Sequence, residues 1–266
     1  MSASHPATLI IGDIHHQTNL ADKALQGVAG AYEKVVFLGD YFDSFFDSPQ
    51  QMRTTCRWLR SSLAKPDRVH LLGNHDIAYF FAQHRQCRCP GHSTEKQQVF
   101  DQEMAGVPPN ALQIAALVGE WLLSHAGFSA TLARDHSAGE IVRMADSELA
   151  HIAPGQESNL LHVGPCRGGH DEVGGPLWLD WSREFHPIAG LNQIVGHTPA
   201  KGVVRAKCLT PAGAHRQYEL AEPSPRPRMT DLPQPGPDWA SVNWCLDCGG
   251  VFVGLLEGNK LTPVII

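Results

Sequence analysis

Apolar residues in this chain gather in short unbroken runs. Five of these runs stop at a glycine or serine that is followed at once by a polar side chain able to bind a metal. LIIGDIH delivers Asp13 and His15, VVFLGDY delivers Asp40, VHLLGNHD delivers Asn74 and His75, WLLSHAG delivers His125, and NQIVGHT delivers His197. A run of this length ending in a turn residue reads as a buried strand meeting a functional loop. Five such edges predict a sheet whose carboxyl ends converge on an oxygen- and nitrogen-rich metal site.

Between the runs the period changes. Strands at 8–13, 35–39 and 69–73 alternate with two helical stretches. The first, NLADKALQGVAGAYEK, has Leu20, Ala24, Leu25 and Val28 at helical spacing; the second, QQMRTTCRWLRSSLAK, has Met52, Cys56 and Leu59 on one face. This alternation predicts βαβ units, a parallel sheet and right-handed crossovers. A further strand is expected over 118–126 and a helix over Ala138–His151. NWCLDCGG and VFVGLLEG read as a hairpin closing a second sheet.

Two segments break the pattern. Residues 77–117 read as too polar for core and too long for a plain connection, and so as a partly helical, cap-like insertion over the metal site. Residues 211–237 are dense in proline with little apolar periodicity and read as an extended loop or partly disordered insertion. The whole chain, 1–266, is expected to form a single domain.

Composition narrows the possible partners. The formal net charge of −6 carries no electrostatic footprint for nucleic acid or an acidic membrane surface. No run approaches membrane-spanning length, and the first strand follows the N-terminus too closely for a signal peptide. Seven scattered cysteines fit reduced thiols in a cytoplasmic protein better than a disulfide framework. CRCPGH and CLDC place Cys87, Cys89 and His92, and Cys245 and Cys248, at spacings that a structural zinc uses. Buried thiols are the simpler reading of the same residues. No Walker-type phosphate loop is present.

The order GDIH, GDYFD, GNHD, SHAG, GHT resembles the calcineurin-like metallophosphoesterases, whose motifs read G-D-x-H, G-D-x-x-D, G-N-H-[DE], a lone His, then G-H. The match spans Ile10 to Thr198. The ending CLDCGGVFVGLLEG is similar to the branch holding diadenosine tetraphosphatases and Ser/Thr protein phosphatases. The resemblance implies a four-layer α/β-β/α sandwich: two facing mixed sheets flanked by helices.

It also implies a dinuclear site. Two divalent ions about 3.5–4 Å apart acidify a shared water and neutralise the phosphoryl oxygens. Asp40 would bridge them. Asp13 and His15 would complete the first site, and Asn74, His125 and His197 the second. Many members end in G-H-x-H; Pro199 stands here, so the first ion should have fewer protein ligands. Oxygen and imidazole ligands suit manganese, iron or zinc, with manganese the first choice.

His75 is the candidate general acid, with Asp76 expected to accept its hydrogen bond and fix its tautomer. Asp43 would support the shell around them. Ser/Thr protein phosphatases carry Arg and Glu where this chain has Ser44 and Asp76, so a usual phosphate clamp is missing. Arg167 and Arg183 are the candidate substitutes. The implied activity is hydrolysis of small phosphorylated substrates, first of all phosphomonoesters, by a metal-bridging hydroxide. Dinucleoside polyphosphate or phosphodiester hydrolysis is the alternative, and a non-catalytic scaffold is further off because the ligand set is complete. The sequence assigns no oligomeric state.

Overall fold

The computed structural model describes residues 6–44, 46–133, 136–152, 158–199, 203–208, 217–221, 241–250 and 252–266. In the first third, β1 (Thr8–Ile11), β2 (Lys34–Phe37) and β3 (Arg68–His70) alternate with α1 (Thr18–Gly27) and α2 (Pro49–Leu63). The pairings β1–β2 and β2–β3 are both parallel, as the alternation predicts. α2 begins where a capping box tells it to: Ser48 accepts from Gln51 N, the Gln51 side chain answers the Ser48 amide, and Pro49 takes the first helical position.

The segment 77–117 is less polar in space than in sequence. α3 (Asn74–Phe80) starts inside the GNHD motif itself, and α4 (Thr94–Glu103) lies against α2. Arg53 and Arg57 of α2 hold Glu103, and Val99, Phe100, Met104, Leu112 and Ile114 are buried in the main core. The polar expectation misses this because the buried apolar positions are scattered among polar ones, on α4 and on the turns that follow it.

The strand expected over 118–126 is a hairpin instead. β4 (Ala115–Val118) and β5 (Trp121–Ser124) pair antiparallel, with Val118 opposite Trp121 across Gly119 and Glu120. Gly119 has φ +59°, the left-handed conformation that a two-residue turn needs. α5 (Ala130–Ala133) follows, then α6 (Ala138–His151), which starts at a Ser137–Glu140 capping box and has the predicted bounds. β6 is Asn192–Val195.

β7 (Val203–Cys208) and β8 (Gln217–Ala221) pair antiparallel at the end of the second sheet; the rest of the proline-rich stretch 211–237 lies outside the described residues. The expected closing hairpin also resolves differently. β9 (Ser241–Cys245) belongs to the second sheet, whereas β10 (Phe252–Glu257) and β11 (Lys260–Ile265) form a hairpin in the first. Gly249 and Gly250, both at positive φ, turn the chain from one sheet to the other.

The result is two mixed sheets, in the orders β11-β10-β1-β2-β3 and β4-β5-β6-β9-β7-β8. Strand alternation sorts their side chains into layers. Ile10, Val36 and Leu38 of the first sheet pack with Trp121, Leu123, Ile194 and Trp244 of the second. Leu9, Ile11, Val35 and Phe37 face the other way, with Ala24, Met52 and Leu59 of the helices, and Leu122 packs with Ile141 and Ala145 of α6. The four-layer sandwich is therefore the observed fold.

This layering predicts a sharp contrast between near neighbours. Leu123, fully buried between the sheets, should cost about 2–5 kcal/mol when changed to alanine. Leu117, 43% exposed on the adjacent strand, should cost within about 0.5 kcal/mol. Urea denaturation of Leu123→Ala and Leu117→Ala decides it; equal losses would contradict the assignment of faces.

Candidate metal centre

Each sheet contains three adjacent parallel strands, β1-β2-β3 in one and β5-β6-β9 in the other. Their carboxyl ends supply the site. Asp13, Asp40 and Asn74 follow the first three, and His125, His197 and Asp247 follow the second three. Asp247 is a buried carboxylate that sequence reasoning did not assign. Its signal is present in the sequence, since NWCLD is one more apolar run ending in a carboxylate, but the expectation of a closing hairpin hides it.

The side chains form two groups that share one member. Asp13, His15 and Asp40 offer ligand atoms all within 4.8 Å of one another, and so do Asp40, His125 and His197. Asp40 Oδ2 lies 3.6 Å from His15 Nε2 and 3.5 Å from His125 Nε2. Asn74 joins the second group: its Oδ1 is 3.0 Å from His125 Nε2 and 2.9 Å from His197 Nδ1, and the two ring nitrogens are 3.1 Å apart.

Backbone carbonyls choose the tautomers. His125 Nδ1 donates to Leu38 O at 2.9 Å, and His15 Nδ1 donates to Asp43 O at 2.7 Å. Each ring therefore turns Nε2 toward the carboxylates. The Asn74 amide donates to Cys89 Sγ at 3.1 Å, which leaves its carbonyl oxygen facing the two rings.

A cation fits these residues. Asn74 Oδ1 and the inward nitrogens of His125 and His197 crowd together at hydrogen-bond distance; with His125 deprotonated all three would be acceptors, which only a proton or a metal ion reconciles. Asp13 Oδ2 and His197 Nε2 are buried with no hydrogen-bond partner. The donor set is oxygen and imidazole, suited to a borderline divalent ion.

The loops that carry the ligands are strained and tightly packed. Among the described residues, the non-glycine residues at positive φ are His15, His16, Asp40, Asp43 and His197, all at or beside the site. Left-handed side-chain-bearing residues cost on the order of 1–3 kcal/mol each, and active sites are where folds retain them. A Cβ on Gly73 would lie 2.0 Å from Asp40 Oδ1, and one on Gly196 would lie 2.3 Å from Asp13 Oδ1. Glycine before the ligand is thus a packing requirement in both motifs.

Asp76 has a role other than the one expected, and Asp43, expected to support the shell, takes its place beside His75. Asp76 does not receive His75; its carboxylate accepts from the backbone amides of Asp40, Tyr41 and Gly73, each at 2.8 Å. It clamps the loop after β2 to the loop after β3. The His75 ring instead meets Asp43, Nδ1 to Oδ2 at 3.3 Å, while the His75 amide donates to Asp40 Oδ1 at 3.0 Å. Adjacency in sequence suggested Asp76, but as the third residue of α3 it points back at the helix start.

Arg167 lies beside the second group. It donates to Thr198 Oγ1 at 3.0 Å, next to His197, and pairs with Asp180 at 3.2 Å. Arg183 is exposed, its backbone amide held by Asp180. Trp178 and Trp181 are packing residues: Trp181 stacks on Phe185 at 4.2 Å between ring centroids, and Trp178 sets its ring near-perpendicular to that of His197. The cysteines do not assemble a zinc site among the described residues. Cys89 faces Asn74, Cys245 donates to the carbonyl oxygens of Gly196 and Thr198, and His92 pairs with Gln97.

Charge in the site follows this geometry. Burial first, then the neighbouring Asp247, pushes Asp13 well above the usual carboxylate range. Burial would raise Asp40 too, but His125, His75 and His15 outweigh it and hold Asp40 well below that range. Burial opposes charge on His15 and His125, yet the carboxylates of Asp40 and Asp13 carry them up to about 9 and about 10. Burial, His125 and Arg167 together keep His197 well below an ordinary histidine, so it is neutral.

With this geometry in place, the comparisons are informative. The chain belongs to the calcineurin-like phosphoesterase family, whose model matches residues 7–201. A search of curated proteins returns no match. Among solved structures, a cold-active protein tyrosine phosphatase aligns with a TM-score of 0.53 at 14% identity, over 98% of this chain and 76% of that one. A metallophosphoesterase from Sphaerobacter thermophilus aligns at 0.45 with 14% identity, over 98% and 88%. A protein serine/threonine phosphatase from Saccharomyces cerevisiae aligns at 0.45 with 14% identity, over 100% and 80%. At such identity the likeness to the first of these concerns the fold.

The histidine charges yield a prediction. Groups at about 9 and about 10 are protonated at pH 7, and a ring must lose its Nε2 proton to ligate. Metal binding to the apo-protein should therefore release protons from His15 and His125, and apparent affinity should rise with pH from 7 toward 9. Calorimetric titration with Mn²⁺ in buffers of different ionisation enthalpy measures the release. Buffer-independent heats would show that these rings hold no proton to release.

Proposed function

We propose that this protein is a dinuclear metal-dependent phosphoesterase acting on phosphomonoesters of small molecules. The observation that carries the reading is Asp40, whose Oδ2 faces a histidine nitrogen of each ligand group at 3.6 and 3.5 Å. One carboxylate is common to both groups, and that is the requirement for two ions sharing a ligand. Asp13, His15 and Asp40 would hold one ion, and Asp40, Asn74, His125 and His197 the other, with manganese, iron or zinc as candidates. Two such ions supply Lewis-acid charge for the phosphoryl oxygens and an acidified water as nucleophile. Buried Trp178 and Trp181 offer no open base-stacking face, which favours a small monoester over a dinucleoside polyphosphate.

The chain's own residues do the rest. Asp76 fixes the two loops on which Asp40 and His75 stand. The ring of His75 is partly exposed beside the ligands, with Nδ1 held by Asp43 and Nε2 left to protonate the departing oxygen. Arg167, adjacent to His197 through Thr198, is the better placed of the two candidate phosphate-binding arginines. The complete ligand set argues for an enzyme over a binding scaffold.

Asp40→Asn tests the shared carboxylate. The change is isosteric, so the fold should survive while bound metal falls and activity is lost. Two metals per chain with turnover near wild type, measured by elemental analysis and a p-nitrophenyl phosphate assay, would refute Asp40 as the shared ligand.

His75 is tested through the leaving group. An alkoxide needs a proton to depart and p-nitrophenolate hardly does. His75→Gln should slow alkyl phosphate hydrolysis by ~10²–10⁴-fold and p-nitrophenyl phosphate distinctly less, at matched metal content. Equal slowing of both would leave His75 as a phosphate-positioning residue.

A further inference from the structure

Helix α4 sends one charged side chain into the protein. Lys96 is 4% exposed, and its Nζ donates to Asp43 Oδ1 and to Asp47 Oδ2, each at 2.8 Å. Both aspartates lie on the loop after β2 that begins at Asp40. The cluster continues outward, since His16 Nε2 meets Asp47 Oδ2 at 2.9 Å and His16 Nδ1 meets Thr55 Oγ1 at 2.8 Å. Inward it ends at the catalytic candidate: Tyr79 and Lys96 both take Asp43 Oδ1, and Asp43 Oδ2 is the oxygen that faces His75 Nδ1.

Stability alone does not account for this arrangement. Burying an ammonium with two carboxylates costs several kcal/mol of desolvation per ion, and apolar replacements of buried ion clusters are often as stable or more so. What the cluster does accomplish is directional. A carboxylate with one oxygen pinned by two donors cannot rotate, and its second oxygen is held toward the imidazole.

We propose that Lys96 is a positioning residue for His75. By holding Asp43 Oδ1 and tying the loop 40–48 to α4, it keeps Asp43 Oδ2 directed at the His75 ring. The segment 77–117 thereby reaches the site at a second point, besides the contact of Cys89 with the Asn74 amide. The inference rests on His75 acting as the general acid, and it gives that acid a support from a helix some 20 residues further along the chain.

The test compares leaving groups in Lys96→Met and in the double variant Lys96→Met/Asp47→Asn. The double variant removes one cation and one anion, so the buried charge balance is kept. Because Tyr79 still holds Asp43 Oδ1, the loss should be ~10-fold on alkyl phosphates, as for removal of an outer support. It should be distinctly smaller on p-nitrophenyl phosphate, with metal content unchanged. A lysine serving the fold alone would slow both substrates together.

His75→Gln is run beside these variants. If it shows the leaving-group contrast and neither Lys96 variant does, the inference is overturned while the general-acid reading stands. If His75→Gln itself slows both substrates equally, both fall. Parallel loss of metal in the Lys96 variants, or failure of both to fold, would also overturn it, since Lys96 would then serve the metal site or the fold.

Discussion

Three buried carboxylates, Asp13, Asp40 and Asp247, stand at the same edge as the inward nitrogens of His15, His125 and His197 and the Asn74 carbonyl. Such groups repel or compete unless positive charge lies among them. Most of the rest of the structure can be understood as holding them there. Three parallel strands in each sheet bring the ligand-bearing loops to one edge, and the packed layer between the sheets keeps the two edges opposed. Asp13 crosses that junction by accepting the His197 amide at 3.1 Å, a bond between the two sheets' loops.

Holding the groups together costs conformational energy locally. Left-handed backbone at His15, Asp40 and His197 and glycines with no room for a Cβ are tolerable because many hydrogen bonds over-determine each loop. Asp76 alone satisfies three backbone amides and receives the charge of Asp40 nearby, so burial and that neighbour raise it to about 7 against the pull of the amides. The carbonyls of Leu38 and Asp43 set the tautomers of His125 and His15. Groups outside the cluster thus decide which atoms face into it.

The side chains gathered at this edge were largely legible in sequence as strand-end residues, for a physical reason. A buried strand must be an apolar run, and a ligand must stand where the run ends, so strand and site are encoded together within a few residues. The boundaries of α6 were legible in the same way, since Ser137 and Glu140 cap it locally. Asp247 is not legible in the same way, because its strand, β9, lies in one sheet while the next strand along the chain, β10, lies in the other. Nothing local distinguishes a hairpin within one sheet from a crossing between two.

By itself, then, the sequence determined where the strands that lead into the candidate site end, where α6 starts, and which polar side chains stand at those strand ends, all set by interactions among residues a few positions apart. Tertiary structure decided which carboxylate serves which partner. Asp76, next to His75 in sequence, turns to the backbone, while Asp43, 32 positions away, takes the ring. Lys96 reaches Asp43 across 53 positions. Those choices depend on which helix packs on which loop, and burial enforces them: a charged group removed from water must find its partner wherever the fold has placed one.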